Sequence, residues 1–237
     1  MDSKFKTLSI VIPVYNEKKL LPLVLEQLEN LTLPLEKEIV IVDDYSTDGT
    51  REYIESLDSN KYKIILKDKN QGKGSALRTG FGHVTGDLVI IQDADLEYDL
   101  NDYESLLEPI LLGDADVVYG SRFLDMNRFD SHYPLHIINN KMITFVSNIF
   151  TGLRLTDMET CYKVIRRDVL DSFVHKLGAD RFGIEPEITH HVSKGDWKII
   201  EIPVSYKART LEEGKKIKMR DGFAALWHII GFHINSK

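Results

Sequence analysis

In VIIQDADLEYD, Val89 to Asp99, an acidic residue falls on every second position from Asp93 onward. On an extended chain, residues two apart point the same way, so the carboxylates of Asp93 and Asp95 face together and Glu97 continues the parity. Like charges so placed repel unless something cationic lies between them. Oxygen ligands suit a hard divalent ion, Mg2+ or Mn2+, of the kind that bridges to substrate phosphates. The alternative is a strand that surfaces into a solvated acidic loop, with Asp99 starting the next helix. The short D-x-D pair by itself favours the loop. Its place at the end of an apolar run favours the metal, with Asp93, Asp95 and Glu97 as ligands.

A second acidic group, VDDYSTDGT, ends another apolar run. Asp43 or Asp44 can accept a hydrogen bond from the ring N–H that uracil and guanine both offer, or can start a turn. Asp48 with Gly49 reads as such a turn, and Ser46 or Thr47 as the cap of the helix that follows. The glycines of NQGKGSALR do not match the phosphate-loop pattern G-x-x-x-x-G-K-[ST]. Gly72 and Gly74 read instead as points of close backbone approach or entry into a helix. Lys73 can meet a phosphate or stay at the surface.

The elements that must position these groups follow from hydrophobic periodicity. TLSIVIPVY, KEIVIVDD, YKIILKD, GDLVIIQDAD and ADVVYGSR read as buried strands, and helical patterns separate them. Pro22 makes the first helix start late or kink. Strands alternating with helices predict an α/β fold, a Rossmann-like, mostly parallel central sheet with helices on both faces. Ligands of such sheets bind outside the carboxyl ends of the strands. Four of the five strand ends carry acidic groups. Beyond Arg122, YPLHIINNKMITFVSNIFTGL predicts an amphipathic helix, CYKVIRRDVLDSF a strand then a helix, GIEPEITHHVSKG a helical turn, and WKIIEIPVSYKAR a strand. TLEEGKKIKMRDG reads as a mobile charged loop, and FAALWHIIGFHI as an apolar helix. No repeat or linker splits the 237 residues, so one domain is expected over 1–237.

Composition excludes several classes. Hydrophobic residues are 43% and charged residues 28%, as in ordinary globular proteins. A net charge of −7 argues against nucleic acid as a partner. The single cysteine, Cys161, allows no intrachain disulfide or cysteine-rich metal site, and a cytoplasmic setting is expected. The N-terminal apolar run is too short for a signal peptide, and no apolar stretch nears the roughly 20 residues of a spanning helix. The histidines form no ligand pattern. Adjacent His190 and His191 point apart on a helix.

Taken in order, SIVIPVYNE, IVIVDDYSTDGT, NQGKGSALRTGF, GDLVIIQDADLEYD and VVYGSRF resemble the family-2 glycosyltransferases of GT-A fold. TDMETCYKVIRRDVL, FGIEPEIT and EIPVSYKARTLEEGKKIKMRDGFAALW bring the resemblance closest to the dolichyl- or polyprenyl-phosphate sugar transferases. The resemblance implies a nucleotide-sugar-binding half over 1–123. It also implies an acceptor-binding half over 124–237 that holds the amphipathic helix, the basic loop and the C-terminal helix. It implies nucleotide contacts from Pro13, Tyr15, Glu17, Asp43, Asp44, Lys73 and Asp93, with the metal on the D-x-D pair. That group often has Gln where this chain has Glu97. Arg122, of the GSR motif, is implied near the sugar or acceptor phosphate. Arg209 and Lys215 are implied on the donor diphosphate, with Lys216 their neighbour and Lys218 and Arg220 more distant candidates. Asp95, Arg122, Arg209 and Lys215 form the implied catalytic set.

The implied reaction is inverting, metal-dependent transfer from GDP-mannose or a UDP-sugar. Charge grows on the leaving diphosphate, which a cation, Arg and Lys stabilise. A lid such as residues 207–220 would exclude water. A polyprenyl-phosphate acceptor is already ionised and needs cations, for which Arg122, Arg128 and Lys141 are candidates. A hydroxyl acceptor needs a base, for which Asp157 or Glu159 are candidates. A sugar-phosphate nucleotidyltransferase would want a Gly-rich basic N-terminal loop, which IPVYNE is not. A non-catalytic binder is disfavoured by the intact D-x-D. The stripe Leu135, Ile138, Met142, Phe145, Val146, Ile149 and Phe150 predicts a helix face for membrane, core or dimer contact. Many members carry transmembrane helices after the catalytic domain. With none in this sequence, any attachment is expected to be peripheral, on the cytoplasmic face. Oligomeric state stays open.

Overall fold

A computed structural model describes residues 4–130, 134–181 and 183–209. The apolar runs form strands β1 (Thr7–Val14), β2 (Glu36–Asp43), β3 (Tyr62–Leu66), β4 (Leu88–Ile91) and β5 (Val117–Ser121). Helices α1 (Leu21–Asn30), α2 (Thr50–Glu55), α3 (Lys73–Phe81) and α4 (Tyr103–Leu111) alternate with them. There follow β6 (Phe129–Asp130), α5 (Pro134–Thr151), β7 (Lys163–Arg166), α6 (Arg167–Asp171), α7 (Ile184–Val192), β8 (Ile199–Pro203) and β9 (Tyr206–Lys207). The predicted C-terminal helix lies outside the described residues.

Seven strands make one sheet in the order β3-β2-β1-β4-β7-β5-β8. Only β7 runs antiparallel to its neighbours, β4 and β5. Strands from before and after Arg122 therefore share a single sheet. Leu8, Ile10, Val11, Ile12, Val40, Ile41, Leu88, Ile90, Val117 and Val118 are almost wholly buried. Adjacent residues of a strand point to opposite faces, so burial of both parities means that both faces of the sheet are covered. A second, two-stranded sheet pairs β6 with β9 in parallel, and Tyr98 bridges to Tyr206 beside it.

Local chemistry explains the boundaries. Pro22 sits in the first turn of α1, where its missing N–H costs nothing. The expected caps of α2 are corrected. Gly49, at φ 94°, precedes that helix, and no side chain caps it. The Ser46 hydroxyl instead accepts the Asn16 N–H at 2.9 Å, and the Thr47 N–H is donated to Asn16 at 2.8 Å. Both residues are spent tying the loop after β1 to the loop after β2. Helix α5 is amphipathic in an unexpected sense. Ile143, Thr144 and Ser147 are buried, while Leu135, Ile138, Met142, Phe145, Ile149 and Phe150 are exposed. Of the predicted stripe, Val146 packs partly against the core, and the other members are turned outward from the described residues.

One ion cluster on the sheet gives a measurable linkage. Glu38 of β2 accepts from the Thr85 N–H at 2.7 Å, from the Thr85 hydroxyl, from Ser9 and from Lys63. Burial alone would raise its carboxyl, but these donors together bring it down from an ordinary 4.5 to about 2. A depressed folded value stabilises above the unfolded value and is lost as pH falls through the folded one. The cluster is partly solvated, so with screening the contribution at pH 7 is about 1–2 kcal/mol. Glu38→Gln is expected to lower unfolding free energy in urea by up to that amount at pH 7. The gap should shrink by about half by pH 3, and a gap independent of pH contradicts the assignment.

Candidate functional site

The carboxyl ends of β1, β2, β4, β5 and β8 lie on one rim of the sheet because these strands are parallel. Three non-glycine residues there have left-handed backbones: Asn16 (φ 52°), Tyr45 (φ 67°) and Leu96 (φ 57°). Such conformations cost free energy and gather where side chains must be aimed.

The last of them changes the geometry expected after β4. The strand ends at Ile91, and the chain is already in a turn at Ala94 and Asp95. It turns at Leu96, and the Glu97 N–H is donated to the Asp95 carboxylate at 3.1 Å. Strand parity therefore does not place Glu97; the turn does, and it still brings Glu97 beside Asp95. Both face Arg209. The Arg209 guanidinium lies 3.2 Å from the carboxylate oxygens of Glu17, 3.1 Å from Asp95 and 3.5 Å from Glu97. Glu97 also accepts from the Arg209 N–H at 3.0 Å and the Tyr206 hydroxyl at 2.6 Å, which fastens β9 to the rim. Burial and the charges of Asp93 and Glu97 push the Asp95 carboxyl above its ordinary range, against the pull of Arg209.

Asp93 has a different partner. Lys73, the first residue of α3, places its ammonium 2.9 and 3.1 Å from the two Asp93 oxygens and 3.2 Å from Glu185 Oε1. Burial would raise Asp93, but the Lys73 charge brings it below the ordinary carboxylate value. Glu185, on α7, receives Lys163 on its other oxygen at 2.5 Å. Four charges thus run inward from the rim: Asp93, Lys73, Glu185, Lys163. Lys163 and Glu185 were not singled out by sequence reasoning. The signal available was a lysine at the head of the apolar run KVIR, which is fully buried here.

Gly72 and Gly74 do provide close backbone approach, and what they approach is the chain itself. A Cβ on Gly74 would stand 2.3 Å from the Ala179 carbonyl oxygen, and one on Gly72 2.7 Å from that of Asp180. Ser75 donates its N–H to the Asp180 carbonyl at 2.9 Å, and Glu187 of α7 accepts the N–H groups of Gly178 and Ala179 at 2.8 Å. These contacts fix the start of α3 against α7.

The paired aspartates after β2 are buried and bonded within the chain. Asp43 accepts from the Ser46 N–H at 3.1 Å and from Arg51 at 3.1 Å. Asp44 pairs with Lys67 and accepts from the N–H groups of Gln71 at 3.1 Å and Gly72 at 2.6 Å. Pro13 is half-buried in β1 ahead of the buried Val14, and Tyr15 is exposed on the loop beyond the strand.

Arg122, just past β5, is buried. It holds Asp157 with its N–H at 3.0 Å, Nε at 2.6 Å and a terminal nitrogen at 2.8 Å. Its guanidinium also lies over the Tyr206 ring at 5.1 Å. Asp157 is fully buried in this pair. Glu159 lies nearby with Oε1 buried and without a hydrogen-bond partner among the described residues. Burial and the charge of Glu185 push its carboxyl up to about 7. Arg128 is engaged by Asp102, by the Ser205 hydroxyl at 3.1 Å and by the Pro203 carbonyl at 2.9 Å. Lys141 lies over the Phe123 ring at 5.4 Å. Lys215, Lys216, Lys218 and Arg220 lie outside the described residues.

The structure thus gathers Glu17, Lys73, Asp93, Asp95, Glu97 and Arg209 on one stretch of the rim. Arg122 and Asp157 form a separate pair beside Tyr206, and Arg128 is bound elsewhere. Among the described residues no three His, Cys, Asp or Glu side chains converge to hold a metal ion by themselves.

A rim of this kind, on a mostly parallel sheet with acidic strand ends, defines a GT-A glycosyltransferase fold. Glucosyl-3-phosphoglycerate synthase from Mycobacterium tuberculosis, solved with Mn2+, uridine diphosphate and phosphoglyceric acid, superposes with a TM-score of 0.68 at 18% identity, over 95% of this chain and 76% of that one. A structure of the same enzyme described without ligands gives a TM-score of 0.69 over 95% and 78%. Residues 9–173 match the sequence profile of Glycosyl transferase family 2, and the chain belongs to that family. It is 31% identical over 227 residues to a dolichol-phosphate mannosyltransferase of Pyrococcus furiosus. The match takes in 93% of this chain and 62% of the length of that relative.

Proposed function

We propose that this chain transfers a sugar, with inversion, from a nucleoside-diphosphate sugar to a polyprenyl phosphate, assisted by Mg2+ or Mn2+. The observation that carries the reading is the crowding of Glu17, Asp95 and Glu97 around one guanidinium, next to Asp93 and Lys73. The Mn2+ and uridine diphosphate held by the mycobacterial synthase support a metal and a nucleotide donor. Likeness to a dolichol-phosphate mannosyltransferase supports a lipid-phosphate acceptor and keeps a GDP-mannose donor beside UDP-sugars.

The donor set fits the ion. Its oxygens are hard, and a cation would relieve the Asp95 carboxyl, which burial and then the charges of Asp93 and Glu97 push up. Asp93 and Asp95 would hold it, with Glu97 bracing the turn between Asp95 and β9. When bound, the ion supplies charge neutralisation to the departing diphosphate. Arg209 acts at the same place, presenting a guanidinium where that charge develops. The end of β1 with Pro13, the loop beyond it with Tyr15 and Glu17, and the loop after β2, held by Asp43 and Asp44, shape the nucleotide's seat. Arg122 stays charged through Asp157 and presents its outer edge to the acceptor phosphate. Lys215 is proposed on the diphosphate, and Lys141 and Arg128 on the approach of the acceptor. The exposed apolar face of α5 would lie in a membrane interface, where a lipid acceptor resides. No described helix is long and apolar enough to cross a membrane.

A second reading rests on Glu159. Its elevated carboxyl and unpaired buried oxygen suit a general base, which a hydroxyl acceptor requires. The two readings separate by product. Purified protein is incubated with labelled GDP-mannose or UDP-sugars, Mn2+ and either a polyprenyl phosphate or hydroxyl acceptors. Asp93→Asn and Asp95→Asn are each expected to lower transfer by about 100-fold or more. Unchanged transfer in both variants overturns the metal assignment.

A further inference from the structure

Lys73 stands between an outer and an inner carboxylate. The outer one, Asp93, is 22% exposed at the rim, and the inner one, Glu185, is 5% exposed. The ammonium donates to Asp93 alone. Glu185 Oε1 lies 3.2 Å away, yet it is buried and takes no hydrogen bond among the described residues. Its sister oxygen is saturated by Lys163, itself fixed on the Thr160 carbonyl. A buried carboxylate oxygen without a donor is costly. Here it has a donor within reach that is committed elsewhere. The placement of Lys73 against Glu185 is fixed, because Ser75 and Glu187 clamp the start of α3 and α7 to the same 178–180 segment.

We infer that Glu185 is the second seat of a lysine relay: when Asp93 engages a divalent cation with the donor diphosphate, Lys73 turns inward onto Glu185 Oε1. This rests on the metal-dependent reading of the site. A lysine left against a divalent ion would repel it, and a turn about its Cδ–Cε bond carries the ammonium off Asp93 and lessens the repulsion without moving α3. Glu185 is therefore a positioning residue that acts through Lys73 and touches neither donor nor acceptor.

Two measurements on the full chain test this. The first needs no metal. In the Asp93→Asn background Lys73 loses its outer partner and must rely on Glu185. Glu185→Gln is then expected to raise the unfolding constant in urea about tenfold more than it does in the wild type. The excess should vanish when Lys73→Met is added. An equal effect in both backgrounds overturns the relay. If Glu185→Gln does not fold, Lys73→Met reads the contact from its exposed end. It must still destabilise the Asp93→Asn protein, and a neutral effect overturns the relay.

The second measurement titrates Mn2+ by electron paramagnetic resonance with GDP or UDP present. Glu185→Gln is expected to weaken Mn2+ binding about tenfold, and Lys73→Met with Glu185→Gln to restore it. Weakening that persists without Lys73 overturns the relay. If the wild type binds no Mn2+ with either nucleotide, the metal-dependent reading falls and the second seat for Lys73 is judged by the first measurement.

Discussion

Asp157→Asn is expected to cost about 3–5 kcal/mol of stability, the cost of leaving a buried charge without its counter-ion. Arg122 gives Asp157 three hydrogen bonds, two from the guanidinium and one from the backbone, and both side chains are buried. Asparagine keeps the shape but not the charge. The loop that carries Asp157 is also pinned by Glu201, which accepts from the N–H groups of Thr156 at 2.8 Å and Asp157 at 3.1 Å. Frustration at the pair therefore spreads to β8. Denaturant unfolding measures the loss. Replacing both partners, Arg122→Met with Asp157→Leu, should recover most of it, because apolar groups of similar volume carry no unpaired charge. Asp157→Asn by itself also decides whether Asp157 is a base. A base variant would lose turnover with its stability intact, whereas a counter-ion variant loses stability first.

Arg209→Ala is expected to move two observables in opposite directions. The guanidinium lies 3.1 Å from Asp95, and it also faces Glu17 and Glu97. Removing it frees the carboxylates and should tighten Mn2+ binding several-fold, since protein cation and metal compete for the same oxygens. Sugar transfer should nevertheless fall by about 10²–10³, because a preorganised charge aimed at the leaving group is gone. The link from Glu97 to the Arg209 N–H survives in alanine, so β9 should stay in place. Transfer and Mn2+ affinity falling together would show that Arg209 only braces the rim.

The strands were legible because each is an apolar, β-branched run closed by a turn signal, and burial on both faces of the sheet demands that pattern. The position of β7 was not legible. KVIR carries no mark of direction, and insertion between β4 and β5 is decided by pairings more than 40 residues away. The acidic strand ends were also legible as residues, but their partners were not. Asp43 and Asp44 read as base contacts, but nothing local shows that Arg51, Lys67 and the Gln71–Gly72 backbone also bind them. Arg122 and Asp157 read as separate acceptor and base candidates, 35 positions apart, and fold into one ion pair. Ser46 and Thr47 look like helix caps, but the loop after β1 takes them first. Such outcomes depend on competition among polar groups in space, which local spacing does not encode.

The reversed strand also orders the assembly of the protein in time. β4 and β5 are not neighbours; each pairs with β7. Residues 88–90 and 117–119 must therefore wait for residues 163–166 before their inner edges are satisfied. As the chain is synthesised, β1 to β4 can already pair, while β5 has no place beside them. Long-range pairing of this kind slows folding and leaves strand edges open in the meantime. The part of the rim that carries Asp93 and the part that carries Arg122 acquire a common frame only when β7 enters, so this rim is among the last features to form.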